Sequence, residues 1–238
     1  MKMSNVVVLA VVGAAASVAM ADGRVRITDA TGIYDGTNGS GGAFTATTVS
    51  GSNGLNGGAG GSSTTFLTFC LERSEYLSFG NTYFTQISDR AVAGGSNADP
   101  TTGAPNVPGQ GFDVLSPVTA LLYQTFRNGG SFGGVAPVMT SALTSALQDA
   151  IWYSEGELGS ISGNALAMYN WARNQNPQSI GNVRVMRLWT SYSNGVYSGN
   201  AQDLLTIVPL PPAAFAGLGT LAGVIGMGYI RRRRLASI

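Results

Sequence analysis

The stretch from Val208 to Ile238 most restricts what the rest of the chain can be. It opens with Val208-Pro209-Leu210-Pro211-Pro212, runs uncharged from Ala213 to Ile230, and ends on Arg231, Arg232, Arg233 and Arg234. Proline lacks the backbone donor and clashes with a preceding helical turn, so it cannot sit inside a helix, and Pro212 is the last plausible start signal. The 18 residues of the apolar run rise about 27 Å as a helix, enough for a thin hydrocarbon core. A cluster of arginines marks the cytoplasmic end of such a span. Everything before Val208 is therefore expected outside the cytoplasm.

The other end agrees. After Met1-Lys2-Met3-Ser4-Asn5 an apolar run starts at Val6, and Ala19-Met20-Ala21 offers the small-x-small pattern that signal peptidase accepts. Residues 1–21 read as a secretory signal for the Sec machinery, with Asp22 the first mature residue. The proline motif, short span and basic stop at the carboxy terminus resemble the sorting tails of the PEP-CTERM class, in the variants that carry Val-Pro-Leu-Pro. The chain has no Pro-Glu-Pro. The resemblance implies an exosortase as processing partner. It also implies a transient stay in the inner membrane through residues 208–238, then delivery to the cell surface or beyond. An ordinary single-pass anchor would share the apolar run and the arginines.

Between these ends the chain carries eight arginines, no lysine and all twelve of its carboxylates, a net of −4. That balance argues against nucleic acid as a partner. There is no histidine, which removes the usual general base, the usual triads and most zinc sites. The acids do not cluster along the sequence, so no metal, cofactor or paired-carboxylate hydrolase is expected, and the protein reads as a non-enzyme. Glu155 and Glu157 read as a solvated helix end. Cys70 is the single cysteine; it is a buried spectator, half of an intermolecular bridge or a reactive thiol.

The hydrophobic pattern predicts an α+β fold with strands flanking a helical middle. Residues 22–63 hold a first strand near Arg24–Thr28, followed by Gly, Ser, Thr and Asn from Asp35 to Ser63 that promise turns or a loose hairpin at most. Residues 64–207 form the expected domain. Thr64–Leu71 is aromatic and β-branched, a strong strand. Period two places Phe66, Thr68 and Cys70 on one face and Leu67, Phe69 and Leu71 on the other. Tyr83–Ile87 reads as a strand and 93–111 as a long loop. Ser116-Pro117 caps a helix whose stripe is Val118, Leu121, Leu122, Thr125 and Phe126, ending at Asn128-Gly129-Gly130. A second helix spans Ser141–Ser154, with Ala142, Leu143, Ala146, Leu147, Ala150 and Ile151 at helical spacing and Gly156 as its stop. A third covers Ala165–Arg173 with Asn164 as cap. Val183–Trp189 and Asp203–Ile207 close the fold as strands.

Two motifs then stand together: Phe69-Cys70-Leu71 and Leu147-Gln148-Asp149-Ala150-Ile151-Trp152. They resemble the two halves of the thioester domains of bacterial surface adhesins, in which a strand cysteine and a helix glutamine are joined by an internal thioester. The resemblance implies a bond between Cys70 and Gln148, with Phe69 and Trp152 shielding it. It also implies covalent attachment to a surface amine or hydroxyl. Trp152, four residues after Gln148, shares its side of the helix. The absence of lysine from the exported part leaves no internal amine to quench the ester. The other reading is a structural or exopolysaccharide-associated matrix protein with the same tail and no bond, in which Cys70 is a small hydrophobe and Gln148 edges a packed helix.

Overall fold

The computed structural model describes residues 23–32, 41–50, 55, 64–92 and 113–208. The Ala19 and Ala21 signal pattern, the motif from Pro209 to Pro212, the apolar run and Arg231–Arg234 lie outside the described residues. Among the described residues no helix is long and apolar enough to cross a membrane. All the described residues belong to one compact unit spanning 20–209.

Strands and helices follow in the order β1 (Gly23–Asp29), β2 (Phe44–Ser50), β3 (Thr65–Thr68), β4 (Thr82–Ser88), β5 (Arg90–Ala91), β6 (Asp113–Val114), α1 (Pro117–Arg127), α2 (Ser141–Ser154), α3 (Gly163–Asn174), β7 (Val183–Ser193), β8 (Val196–Asn200) and β9 (Leu204–Ile207). The helices thus lie between two groups of strands, an α+β arrangement. Seven strands make one antiparallel sheet in the order β3-β2-β1-β4-β7-β8, with β9 also beside β7. β5 and β6 form a separate short pair.

The large sheet nearly closes on itself. Beyond β3 the chain stays extended and meets β9: Leu205 N donates to Phe69 O at 3.1 Å, Leu71 N donates to Asp203 O at 2.9 Å, and Cys70 bridges Leu204. This seam converts an open sheet into a barrel-like one and removes two free edges. Alternation then sorts side chains by face. Phe66 and Cys70 join Val25, Ile27, Met186 and Leu188 in the core inside the curved sheet. Phe69 and Leu71 point the other way, into the core shared with α1, α2 and α3.

The helices follow their local chemistry. Ser116 caps α1 by accepting from Val118 N at 3.1 Å, and Asn128 ends it. Thr140 caps α2 by accepting from Leu143 N at 3.2 Å, and Gly156 takes φ +80° just beyond its end. Ser162, not Asn164, stands at the cap of α3, and no side-chain hydrogen bond marks it. The buried face of α1 is turned from the expected one: Thr119, Ala120 and Tyr123 are buried with Leu122 and Phe126. The Tyr123 hydroxyl donates to Leu67 O at 2.9 Å, which lets a polar ring replace an aliphatic one in the core.

Two expectations are corrected. The Gly/Ser/Thr-rich stretch supplies β2, which pairs with both β1 and β3; Thr45, Thr47, Thr48 and Val49 are β-branched, and neighbours on both sides override the weak pattern. The folded unit therefore does not begin at residue 64. The chain after Trp189 also continues as a hairpin from β7 to β8, where Asn194 and Gly195 take φ +51° and +81°, as a two-residue turn requires.

Candidate functional site

Cys70 sits where two structural constraints meet. On one side the seam to β9 holds its strand. On the other, the β2–β3 ladder ends with Phe44 opposite Thr68. Continued by two residues, that register would set Gly42 opposite Cys70. The ladder does not continue; the side chain of Gln148 occupies the gap. Its Oε1 accepts from Cys70 N at 3.1 Å and from Gly42 N at 3.4 Å, and its Nε2 donates to Cys70 O at 2.9 Å. One carboxamide thus replaces a backbone partner, and Gln148 is 1% exposed. Buried backbone groups need such partners.

α2 delivers this group because Gln148 and Trp152 are one turn apart on its sheet-facing side. Trp152 packs with Cys70 in the core inside the sheet, whereas Leu147, Ala150 and Ile151 face the other helices. Gly41 makes room. A Cβ there would lie 2.3 Å from Trp152 Cη2 and 2.9 Å from Gln148 Cγ, and φ is +79°. Only glycine meets both demands. Phe69, expected to shield the sulfur, lies on the opposite face of the strand, edge-on to Phe126 with ring centroids 5.0 Å apart. Successive residues of a strand cannot share a face.

A cleft of about 560 Å³ opens over this place, lined among others by Cys70, Trp152, Phe44, Phe79, Glu75 and Glu157. Tyr76 and Phe79 on its rim are 83% and 51% exposed. Burial pushes the Cys70 thiol well above its usual range, and the nearby Glu75 and Glu72 carboxylates add to the shift. The sulfur is therefore a neutral thiol rather than a thiolate.

Glu75 is a titratable group on the cleft that the sequence did not reveal. Its Oε1 accepts from Asn200 Nδ2 at 2.5 Å and its Oε2 from Asp203 N at 3.0 Å. Burial raises its pKa to about 7, against the lowering effect of those hydrogen bonds. Nothing in the spacing of Cys70 and Glu75 signals the role, because the intervening segment is irregular and the fixing partners come from the far end of the chain. Asp149, next to Gln148, is half-buried, and burial raises its pKa while the charge of Arg73 lowers it.

The acids called solvated are not. Glu155 is fully buried and accepts from Ser116 N at 3.2 Å, tying the end of α2 to the start of α1. Glu157 accepts from Arg73 N at 3.4 Å. Its carboxylate lies with those of Glu72 and Asp113, one oxygen of each within 4.8 Å of the others. Burial first, then the Asp113 and Glu157 charges, push Glu72 up to about 12. These acids stand far apart in sequence, so only the fold gathers them. Trp171 packs edge-on to Phe132 and Trp189 lies against Tyr197, consistent with packing roles.

Compared with known proteins, the chain matches no family model, no curated protein and no solved structure.

Proposed function

We propose that this chain is an exported surface or matrix protein that attaches covalently through an internal thioester between Cys70 and Gln148, after an exosortase has processed its carboxy-terminal tail. The observation that carries the reading is the insertion of the Gln148 carboxamide beside Cys70, with Oε1 facing two backbone N–H groups. In bond formation the Cys70 sulfur attacks Gln148 Cδ. The carbonyl electron pair moves onto Oε1, where the amides of Cys70 and Gly42 stabilise the developing charge as an oxyanion hole does. The pair returns, the C–N bond breaks, and Nε2 leaves as ammonia with the thiol proton. Glu75, in the same cleft and titrating near neutrality, relays that proton.

Attachment reverses the roles of sulfur and nitrogen. An amine or hydroxyl entering the cleft attacks the same carbonyl. The same two amides hold the oxyanion, Glu75 accepts the nucleophile's proton, and Cys70 departs as a thiol. Trp152 and the aromatic rim keep water off the ester until the partner arrives. Each molecule reacts once, so the protein is not an enzyme. Membrane contact is confined to the tail, through Val208–Pro212, Ala213–Ile230 and Arg231–Arg234.

One observation favours a second reading. Gln148 satisfies both backbone groups of Cys70 without any covalent bond, as a structural plug in a matrix or exopolysaccharide-associated protein would. Methylamine separates the two. The thioester reading requires methylamine to appear at Gln148 on peptide mapping, with one new thiol at Cys70. A Cys70 thiol that is alkylated in fresh denatured protein without prior methylamine supports the plug.

A further inference from the structure

The three carboxylates of Glu72, Asp113 and Glu157 come from three separate segments: the chain just past Cys70, β6, and the turn after α2. Glu72 and Asp113 are both 0% exposed, and Glu157 is half-buried on the wall of the cleft. Glu72 is fully buried, and neither of its side-chain oxygens meets a donor outside the cluster; the side chains within hydrogen-bond reach are the Asp113 and Glu157 carboxyls themselves. Its main-chain carbonyl, by contrast, is held by Gln202 Nε2. A buried carboxylate without a partner costs several kcal/mol unless it is neutralised or bound to a cation. The charges that act on Glu72 are carboxylates, not arginines.

We infer that Glu72, Asp113 and Glu157 form a binding site for a divalent cation, calcium in preference to magnesium or zinc. The donors are all carboxylate oxygens, which suit a hard ion. Zinc would call for imidazole or thiolate donors, and the chain has no histidine. Spacing permits it: the three oxygens lie within 4.8 Å of one another, close enough to share one ion at the roughly 2.3–2.6 Å typical of calcium ligands. Donors carried on three segments favour the adaptable shell of calcium over the strict octahedron of magnesium. Glu157 at the cleft wall gives the ion a path from solvent.

The site lies on both halves of the Cys70–Gln148 pair. Glu72 is two residues past Cys70. Glu157 follows α2, its N donating to Trp152 O at 2.8 Å. A bound ion clamps the end of α2 to the segment after β3 that carries the cysteine. The clamp does not depend on the thioester, so the two claims fail separately.

The test is titration of full-length protein in detergent micelles, stripped with chelator, with Ca2+ alone, read by calorimetry and by the thermal midpoint. One site per chain and a rise of about 5 °C or more at saturation are expected. Mg2+ at the same concentration should give less than half that rise. Glu72→Gln should weaken Ca2+ binding at least tenfold. Glu157→Gln, at the half-buried position, should weaken it too without endangering the fold. Cys70→Ala should bind like the wild type. The inference is overturned if the wild type shows no Ca2+ response, if Mg2+ matches Ca2+, or if Glu72→Gln and Glu157→Gln respond like the wild type. The first result would mean that the three carboxyls share protons instead.

Discussion

Two polar sites stand two residues apart just beyond β3 and meet the C-terminal half of the same helix and the turn after it. At Cys70 the group arriving from α2 is the neutral carboxamide of Gln148, whose oxygen and nitrogen both find backbone partners. At Glu72 the group arriving just after α2 is another carboxyl, Glu157, and the Glu72 oxygens meet only acidic groups and no backbone or amide donor. One site is complete within the chain; the other is completed by something added. A satisfied buried network fixes a geometry, whereas an unsatisfied one has to draw in a proton or a cation. The first suits chemistry that needs an exact placement, the second a condition on when that placement holds.

Removing the plug should have the largest effect. Gln148→Ala leaves the Cys70 N–H and C=O buried without partners, and about 3 kcal/mol of stability should be lost in urea unfolding. The matching change at the other site has the opposite sign. Glu72→Gln in calcium-free buffer puts a neutral amide where burial and the neighbouring acids already hold a protonated carboxyl, and should not destabilise the protein. Equal losses from both substitutions would erase the contrast.

Next comes the space that admits the plug. Gly41→Ala meets Trp152 and Gln148 in a left-handed conformation, and should cost about 2 kcal/mol. It should also slow methylamine uptake, because the carboxamide shifts. Unchanged stability would show that residues 41–42 do not hold Gln148 in place.

A smaller effect is expected from Glu75. Its folded pKa of about 7 lies above the ordinary glutamate value, so the folded state binds the proton more tightly than the unfolded one. Its stabilising contribution is complete below about pH 4.5 and is lost as pH rises through 7. After discounting for its partial exposure, the loss is about 1 kcal/mol. The groups that face it are Asn200 and the Asp203 N–H by hydrogen bond, and the Asp203 and Glu157 carboxylates by charge. Glu75→Gln should flatten that part of the pH–stability curve; an unchanged slope would place the titration elsewhere.

The smallest effect belongs far from both sites. Asn194→Ala, in the β7–β8 turn at φ +51°, should cost less than about 1 kcal/mol and leave the Cys70–Gln148 chemistry untouched.

What was legible in the sequence follows the range of its causes. The α2 span and the two faces of Phe66–Leu71 rest on local periodicity, and local periodicity survives folding. So did the convergence of Cys70 and Gln148, through motifs rather than through spacing. β2 was not legible, because its threonines gain strand character only between β1 and β3. The Asn194-Gly195 pair is itself a local hairpin signal, since both residues tolerate positive φ. Glu75, Gly42 and the Glu72–Asp113–Glu157 group were not, because each depends on contacts between segments that no local pattern links. Phe69 neighbours Cys70 in sequence, and in extended chain that adjacency means the opposite face from the sulfur.

The covalent bond between Cys70 and Gln148 is read off the intact mass of freshly purified, denatured full-length protein. With the thioester in place the mass is lower by one ammonia than the sequence requires after known processing, and it is restored to the full value in Cys70→Ala once that substitution is allowed for. A wild-type mass with no ammonia missing, together with a freely alkylated Cys70, would contradict it.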